Sequence, residues 1–238
     1  MKSLKMIAVL AVLMAAGMSA SAQAGVEVGY VNMNYRISGG NVQSNPSLNG
    51  FYVGVSDEIN LVAGLGIHIG LNYSYATDKS AKSIFQNLSL KGGSESDHYL
   101  NVPLRLRYSF NVIPKVLKIQ AFAGPVFSVG LSHTQRFDYK VSIMDKNLDG
   151  TLKYNYYTGK FKSDAFSDEE LASLNEQMPA AYKRFDVGLG GGVGIELLRL
   201  IEVKVGYDWG LMNRFKGNFA DEMTCNRNLL YVTLGLRF

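Results

Sequence analysis

The sequence predicts an all-β fold, an eight-stranded antiparallel up-and-down transmembrane β-barrel with short periplasmic turns and long extracellular loops. Three observations predict it. Eight segments alternate between an apolar face and a face of glycine, polar and charged residues, the period-two pattern of a strand whose sides meet different surroundings. The connections alternate short and long, as a closed barrel with both ends on one side requires. No run beyond residue 24 approaches the roughly 18 apolar residues of a membrane helix, and mean hydropathy is only +0.01.

The elements follow in order. Lys2 and Lys5, the apolar run 6–18 and the small residues 20–24 read as a secretory signal peptide over 1–24, cleaved after Ala24, with the barrel over 25–238. Two weaker strands, 26–36 and 50–56, come first. In 61–75 the odd positions are apolar and the even ones small or polar, with Tyr73 and Tyr75 placed for an aromatic belt. Leu104, Leu106 and Tyr108 oppose Arg105 and Arg107 in 100–110, and 119–131 repeats the theme beside Lys118 and Gln120. In 185–197 the second face is Asp186, four glycines and Glu196; in 201–211 it carries Glu202, Lys204 and Asp208. The last strand, 229–238, alternates Leu230, Val232, Leu234, Leu236 and Phe238 against Tyr231, Thr233, Gly235 and Arg237. Pro103 and Pro125 lie mid-strand, where a missing N–H predicts a bulge or bend.

The short connections are 56–60, 111–116 and 198–200; the long ones are 37–49, 76–97, 132–184 and 213–226. Within 132–184, Asp149-Gly150 predicts the tip of a hairpin. The run from Asp145 matches the start of a calcium loop, but Tyr156 at its twelfth position cannot supply the bidentate carboxylate. Ser167 and Glu170 form a capping box before a short helix carrying Leu171, Leu174 and Met178 and stopped by Pro179.

A lipocalin-type barrel would place charges outside. Here they share a face with the glycines, while the other face is nearly free of charge over six strands, which water would not tolerate across a whole exterior. The apolar face, including Leu65, Ile67, Leu104, Val203 and Leu234, is therefore expected to meet lipid.

The segments GFYVGVSDEINL at 50–61, YLNVPLRLRY at 99–108, AFAGP at 121–125 and FDVGLGGGVGI at 185–195, followed by the terminal strand, resemble the PorT-like outer-membrane β-barrel proteins of Bacteroidetes. The resemblance covers most of the chain outside 132–184. It implies an outer-membrane location in a Gram-negative cell, usually without assigned chemistry, and for some members a role in a protein secretion system. The terminal strand also resembles the signal read by the barrel assembly machinery, whose best-known element is a terminal Phe, here Phe238.

Composition narrows the function. The formal charge of +4 falls to +2 without Lys2 and Lys5, and no basic run points to nucleic acid. Cys225 is the sole cysteine, read as an incidental loop thiol, so no intramolecular disulfide forms. His68, His98 and His133 lie on separate segments without metal-ligand spacing. No cofactor or catalytic set is expected. The expected function is a non-enzymatic, monomeric, structural or surface-interaction barrel in contact with outer-membrane lipid and lipopolysaccharide. The alternatives are an accessory with secretion-system partners and a lipid-modifying enzyme; a porin-like diffusion pore is disfavoured because eight strands enclose a lumen that side chains fill.

The expected site is a lumenal charge network near the periplasmic end: Glu27, Glu196 and Glu202 against Arg105, Arg107, Lys118, Lys204 and Arg237. A three-residue turn at 198–200 sets Glu196 across from Glu202. A cation among Arg105, Arg107, Lys204 and Arg237 is expected to bridge them. The glycines at 188, 190, 192 and 194 predict a roomier outer half, open only to the outside.

Overall fold

In the computed structural model, residues 22–40, 42–78, 90–143, 146–167, 169–177, 180–217 and 219–238 are described. Eleven strands form one sheet: β1 (Ala22–Gly39), β2 (Val42–Ser44), β3 (Ser47–Asn60), β4 (Leu65–Asp78), β5 (Leu90–Ile113), β6 (Leu117–Ile143), β7 (Lys146–Asn155), β8 (Lys160–Ser163), β9 (Phe185–Leu197), β10 (Ile201–Gly210) and β11 (Thr224–Arg237). Among the described residues, two short helices are α1 (Ala172–Gln177) and α2 (Phe219–Glu222). Eight strands close the ring β1-β3-β4-β5-β6-β9-β10-β11, every neighbour antiparallel. Closure leaves no unpaired edge in lipid. β2 adds to β1, while β7 and β8 extend β6 outward.

The register sets the shape. Residues paired side by side lead from Asn101 through Asn72, Gly54, Glu27, Gly235, Glu202, Glu196 and Lys118 back to β5 at Asn111, ten residues along (111 − 101). With ~3.3 Å per residue and ~4.8 Å between strands, that stagger tilts the strands by about 41°. Lys118, Glu196, Glu202 and Glu27 thus lie along one oblique line.

The faces fall as the alternation predicts. Leu65, Leu104 and Leu234 are exposed on the outer wall, among a band of aliphatic residues, with Ile67 and Val203 partly covered beside them. Tyr30, Phe51, Phe185 and Trp209 ring this band at one margin, and Tyr108, Phe110 and Phe238 at the other, as aromatic girdles do. The charged residues Glu27, Glu58, Arg105, Arg107, Glu196, Glu202, Lys204 and Arg237 of the membrane strands point inward and are buried.

Several expectations are corrected. β4 starts at Leu65, because the tight turn is 61–64, closed by the Leu61 amide on the Leu65 carbonyl with positive φ at Ala63 and Gly64. β3 accordingly runs on to Asn60 and carries Glu58 into the lumen. Neither mid-strand proline makes a bulge: Pro103↔Val126 and Leu106↔Ala123 keep one register, and Pro125 pairs with Leu189 without a shift. The shifts lie elsewhere, one of them between His98 and Tyr99. It inserts Leu131 as an extra residue in β6 and reverses which parity faces inward, so His133 and Gln135 enter the core.

The 132–184 segment is largely a folded extension of the barrel. β6 and β7 pair from Ile143↔Lys146, so Asp149-Gly150 lies within β7 rather than at a hairpin tip; 144–145 are outside the described residues. Asn147 and Asp149 sit in extended strand, which does not wrap an ion as a calcium loop would; Asp145 lies outside the described residues. The capping box forms: the Ser167 amide donates to Glu170 Oε2 at 2.8 Å, and the Glu170 amide to Ser167 Oγ at 3.3 Å. The Ser167 amide, together with the Ser167 hydroxyl, which also donates to Oε2, holds the Glu170 carboxyl below its ordinary range. Leu171 is buried, while Met178 and Pro179 lie outside the described residues. Cys225 belongs to β11, fully buried, rather than to a loop. Ala22 to Ala24 begin β1; the rest of 1–24 is outside the described residues.

Candidate functional site

The lumen is filled by layers of paired charge, built by the inward parity of each strand. In the layer next to the tight turns, Glu27, Glu58, Glu196 and Glu202 meet Arg107, Lys118, Lys204 and Arg237, four charges of each sign. Glu202 and Glu196 are directly opposed in register. Arg237 is the hub. Its guanidinium lies 3.1 Å from Glu27 and 3.0 Å from Glu58, bonds Glu202 through Nη2, and donates to Ser56 Oγ at 2.7 Å. Lys204 bonds Glu27 at 2.6 Å and approaches Glu202 at 3.3 Å. Gln120 links the layer by accepting from Arg107 at 3.1 Å and donating to Glu202.

The eight residues singled out in the sequence are therefore divided among partners. Glu202 is held by Arg237 and Lys204, but Glu196 pairs with Lys118, so none of the four expected cations bridges the two glutamates. Arg107 instead pairs with Glu58. Arg105 lies farther from the turns and pairs with Asp208 at 2.8 and 3.0 Å, flanked by the Phe122 and Tyr231 rings. Glu196 and Lys118 are direct neighbours in the register, whereas the tilt explains the distant pairs: Arg107 meets Glu58, and Arg105 meets Asp208, from strands offset along the oblique line.

Between these layers a polar cavity of about 40 Å³ touches Glu27, Glu58, His68, Arg105, Lys204 and Asp208. At ~10–15 Å³ per water it admits a few waters. His68 approaches Glu58 at 3.5 Å.

The outer half is filled, contrary to the expected vestibule. Arg227 stacks 3.8 Å from the Tyr99 ring centroid and faces Asp186 at 3.4 Å. Above it, Arg214 from the 211–223 connection is fully buried, 3.2 Å from the Tyr157 hydroxyl, 3.8 Å from Asp97, and stacked on Tyr35, Tyr99 and Tyr182. His133 lies between Asp97 at 2.9 Å and Glu95 at 2.5 Å. Tyr157 and Tyr182, both from the 132–184 segment, join the core here. The glycines do not leave empty space because neighbouring strands fill it: a Cβ at Gly192 would stand 2.6 Å from the Phe122 ring, and one at Gly190 would overlap the Asp208 carboxylate. The wide opening is instead at the turn end, a mouth of about 530 Å³ lined by Asn60, Asn111, Lys115, Lys118, Glu196 and Arg199.

The sequence reading passed over Glu58, Asp97, Arg214 and Arg227. Glu58 was legible: it continues the parity of Tyr52, Gly54 and Ser56 by one step. Arg214 was not, since a loop arginine enters a core only through tertiary packing.

A closed ring with an apolar exterior, two aromatic girdles and a charge-paired interior defines an integral membrane β-barrel. The family model described as the outer membrane protein beta-barrel domain matches residues 15–216, and the chain belongs to that family. Its location is the outer membrane. Among solved structures, the chain is similar to Ail, the attachment invasion locus protein of Yersinia pestis (10% identity, 92% of this chain and 99% of that chain covered, TM-score 0.42). It is also similar to Neisserial surface protein A (11%, 90% and 97%, 0.41) and to OprG of Pseudomonas aeruginosa (9%, 92% and 96%, 0.40). No curated protein matches the sequence.

Proposed function

We propose that this chain is a non-enzymatic, monomeric outer-membrane barrel whose strands anchor an ordered extracellular cap used for structural or surface-interaction roles. The observation that carries the reading is the double closure of the lumen, by the Arg237 layer below and the Arg214 layer above. The histidines are engaged by Glu58, by the Tyr73 hydroxyl and by Asp97 with Glu95, rather than by a serine of a lipid-modifying triad. Planar-bilayer recording of the purified protein tests the closure. The expected trace lacks regular conductance steps, and porin-like steps would overturn the reading.

A second reading, an accessory of a protein secretion system as in PorT-like barrels, is favoured by the 530 Å³ mouth, which faces the periplasm with Lys115, Lys118 and Arg199 at its wall. Its test is crosslinking from the mouth in native membranes: a reproducible periplasmic partner lost on Lys115→Glu with Arg199→Glu supports it.

Phe238 is proposed as the assembly signal. It is exposed at the turn-end girdle, its amide donating to the Ala24 carbonyl at 2.8 Å. Phe238→Asp, or its deletion, is expected to cut the folded, heat-modifiable form several-fold while export continues. Unchanged folded barrel in the outer membrane would remove the assignment.

A further inference from the structure

On the barrel's exterior, beyond the lipid band, three cations stand in a row. Arg136 of β6 pairs directly with Lys153 of β7, and Lys153 with Lys162 of β8. Directly opposed residues share a face, and like charges so opposed destabilise a sheet. Lys160, across from Asn155, adds a fourth charge on that face. The carboxylates among them are Asp138, 2.9 Å from Arg136, and Asp164, which is held by the Thr151 amide at 2.6 Å. Among the described side chains of this face, two carboxylates against four cations leave an excess of two positive charges (4 − 2). Arg136, Lys153 and Lys162 converge with Thr151, Ser163 and Asp164 on a surface depression of about 340 Å³. The opposite face packs inward through Phe137 and Phe161, both buried, so this hairpin is a firm platform rather than a loose loop.

The row's height identifies the partner. The Leu131 bulge puts Ser132, Thr134 and Arg136 on the outer wall, above the lipid-facing Val129. At ~3.3 Å per residue and about 41° of tilt, Arg136 stands roughly 15 Å above Val129. The headgroup layer of a phospholipid leaflet is only about 5–7 Å deep. A phospholipid phosphate would therefore lie below the row, whereas phosphorylated sugars of a large glycolipid headgroup reach it.

We propose that Arg136, Lys153 and Lys162 form a docking site for the phosphorylated sugar headgroup of an outer-leaflet glycolipid, bound from the side. The anion relieves the repulsion that the sheet register imposes on these cations, and the packed hairpin holds them side by side on one face. The site adds a specific lipid contact to the surface role proposed above, and it stands whether or not the lumen conducts.

The test uses the full-length protein in detergent, wild type against Lys153→Gln/Lys162→Gln, titrated with purified lipopolysaccharide, the same material after chemical dephosphorylation, phosphatidylglycerol vesicles and soluble polyphosphate. Heat-modifiability verifies folding of the variant. Wild type is expected to bind the phosphorylated glycolipid at least 10-fold tighter than the variant does. Dephosphorylation of the ligand should cost a similar factor, and affinity should fall with added salt. Without ligand the variant should melt at the same or a higher temperature, because a like-charge pair is gone. Equal glycolipid binding by both proteins overturns the site. So does equally tight binding of phosphatidylglycerol or polyphosphate, which would reduce the row to general anion attraction.

Discussion

Arg237→Met is expected to destabilise the barrel by about 3–5 kcal/mol, the cost of removing one member of a buried ionic set and leaving the others uncompensated. The side chain is fully buried and touches Glu27, Glu58 and Glu202 at once. Methionine preserves much of the volume, so the loss is one of charge rather than packing. Lys204 and Arg107 still reach all three carboxylates, but neither replaces the paired contact of Arg237 Nε and Nη2 with Glu202. Urea unfolding in lipid or micelles, followed by heat-modifiable migration, measures the change. Adding Glu202→Gln should return part of it, since the second substitution removes an orphaned charge, and the double variant will be non-additive. A single variant within ~1 kcal/mol of wild type would show that the Arg237 layer does not hold the barrel together.

Arg214→Leu is the second large effect, and it falls on the cap instead of the membrane strands. The guanidinium joins the 211–223 connection to the 132–184 segment through Tyr157 and Tyr182, and to the barrel wall through Asp97, Tyr35 and Tyr99. Its loss removes three cation–π contacts of about 0.5–2 kcal/mol each and leaves Asp97 with His133 and Tyr35. The expected cost is roughly 2–4 kcal/mol, spent on releasing the cap. Limited proteolysis of intact membranes should show new cleavage within 146–177, while the membrane-embedded fragment stays heat-modifiable. An unchanged digestion pattern would mean that the aromatic residues alone secure the cap. Paired with the Arg237 variant, this separates two closures: one should weaken the whole barrel, the other only its outer lid.

The bilayer and the pleat made much of this protein legible before any coordinates. A strand facing lipid on one side and a narrow lumen on the other must alternate with period two, so the parity of Leu104 against Arg105, or Val203 against Lys204, announced both faces and the strand count. Short connections at one end announced the sidedness, and the parity of Glu27, Glu196, Glu202 and Arg237 put them inside. What residue order could not decide was pairing across the lumen. Shear offsets neighbouring strands obliquely, which sends Arg105 to Asp208 and Arg107 to Glu58. One extra residue at Leu131 reversed the inward parity of β6 and delivered His133 to the core. The glycines of β9 looked like empty space because sequence shows only the atoms a residue lacks. In the folded barrel the Phe122 ring and the Asp208 carboxylate occupy the room that Gly192 and Gly190 leave. Period and parity are local properties of one strand, readable in a line of letters. The filling of a lumen is set by which distant side chains arrive at the same height, and only the closed tertiary structure decides that.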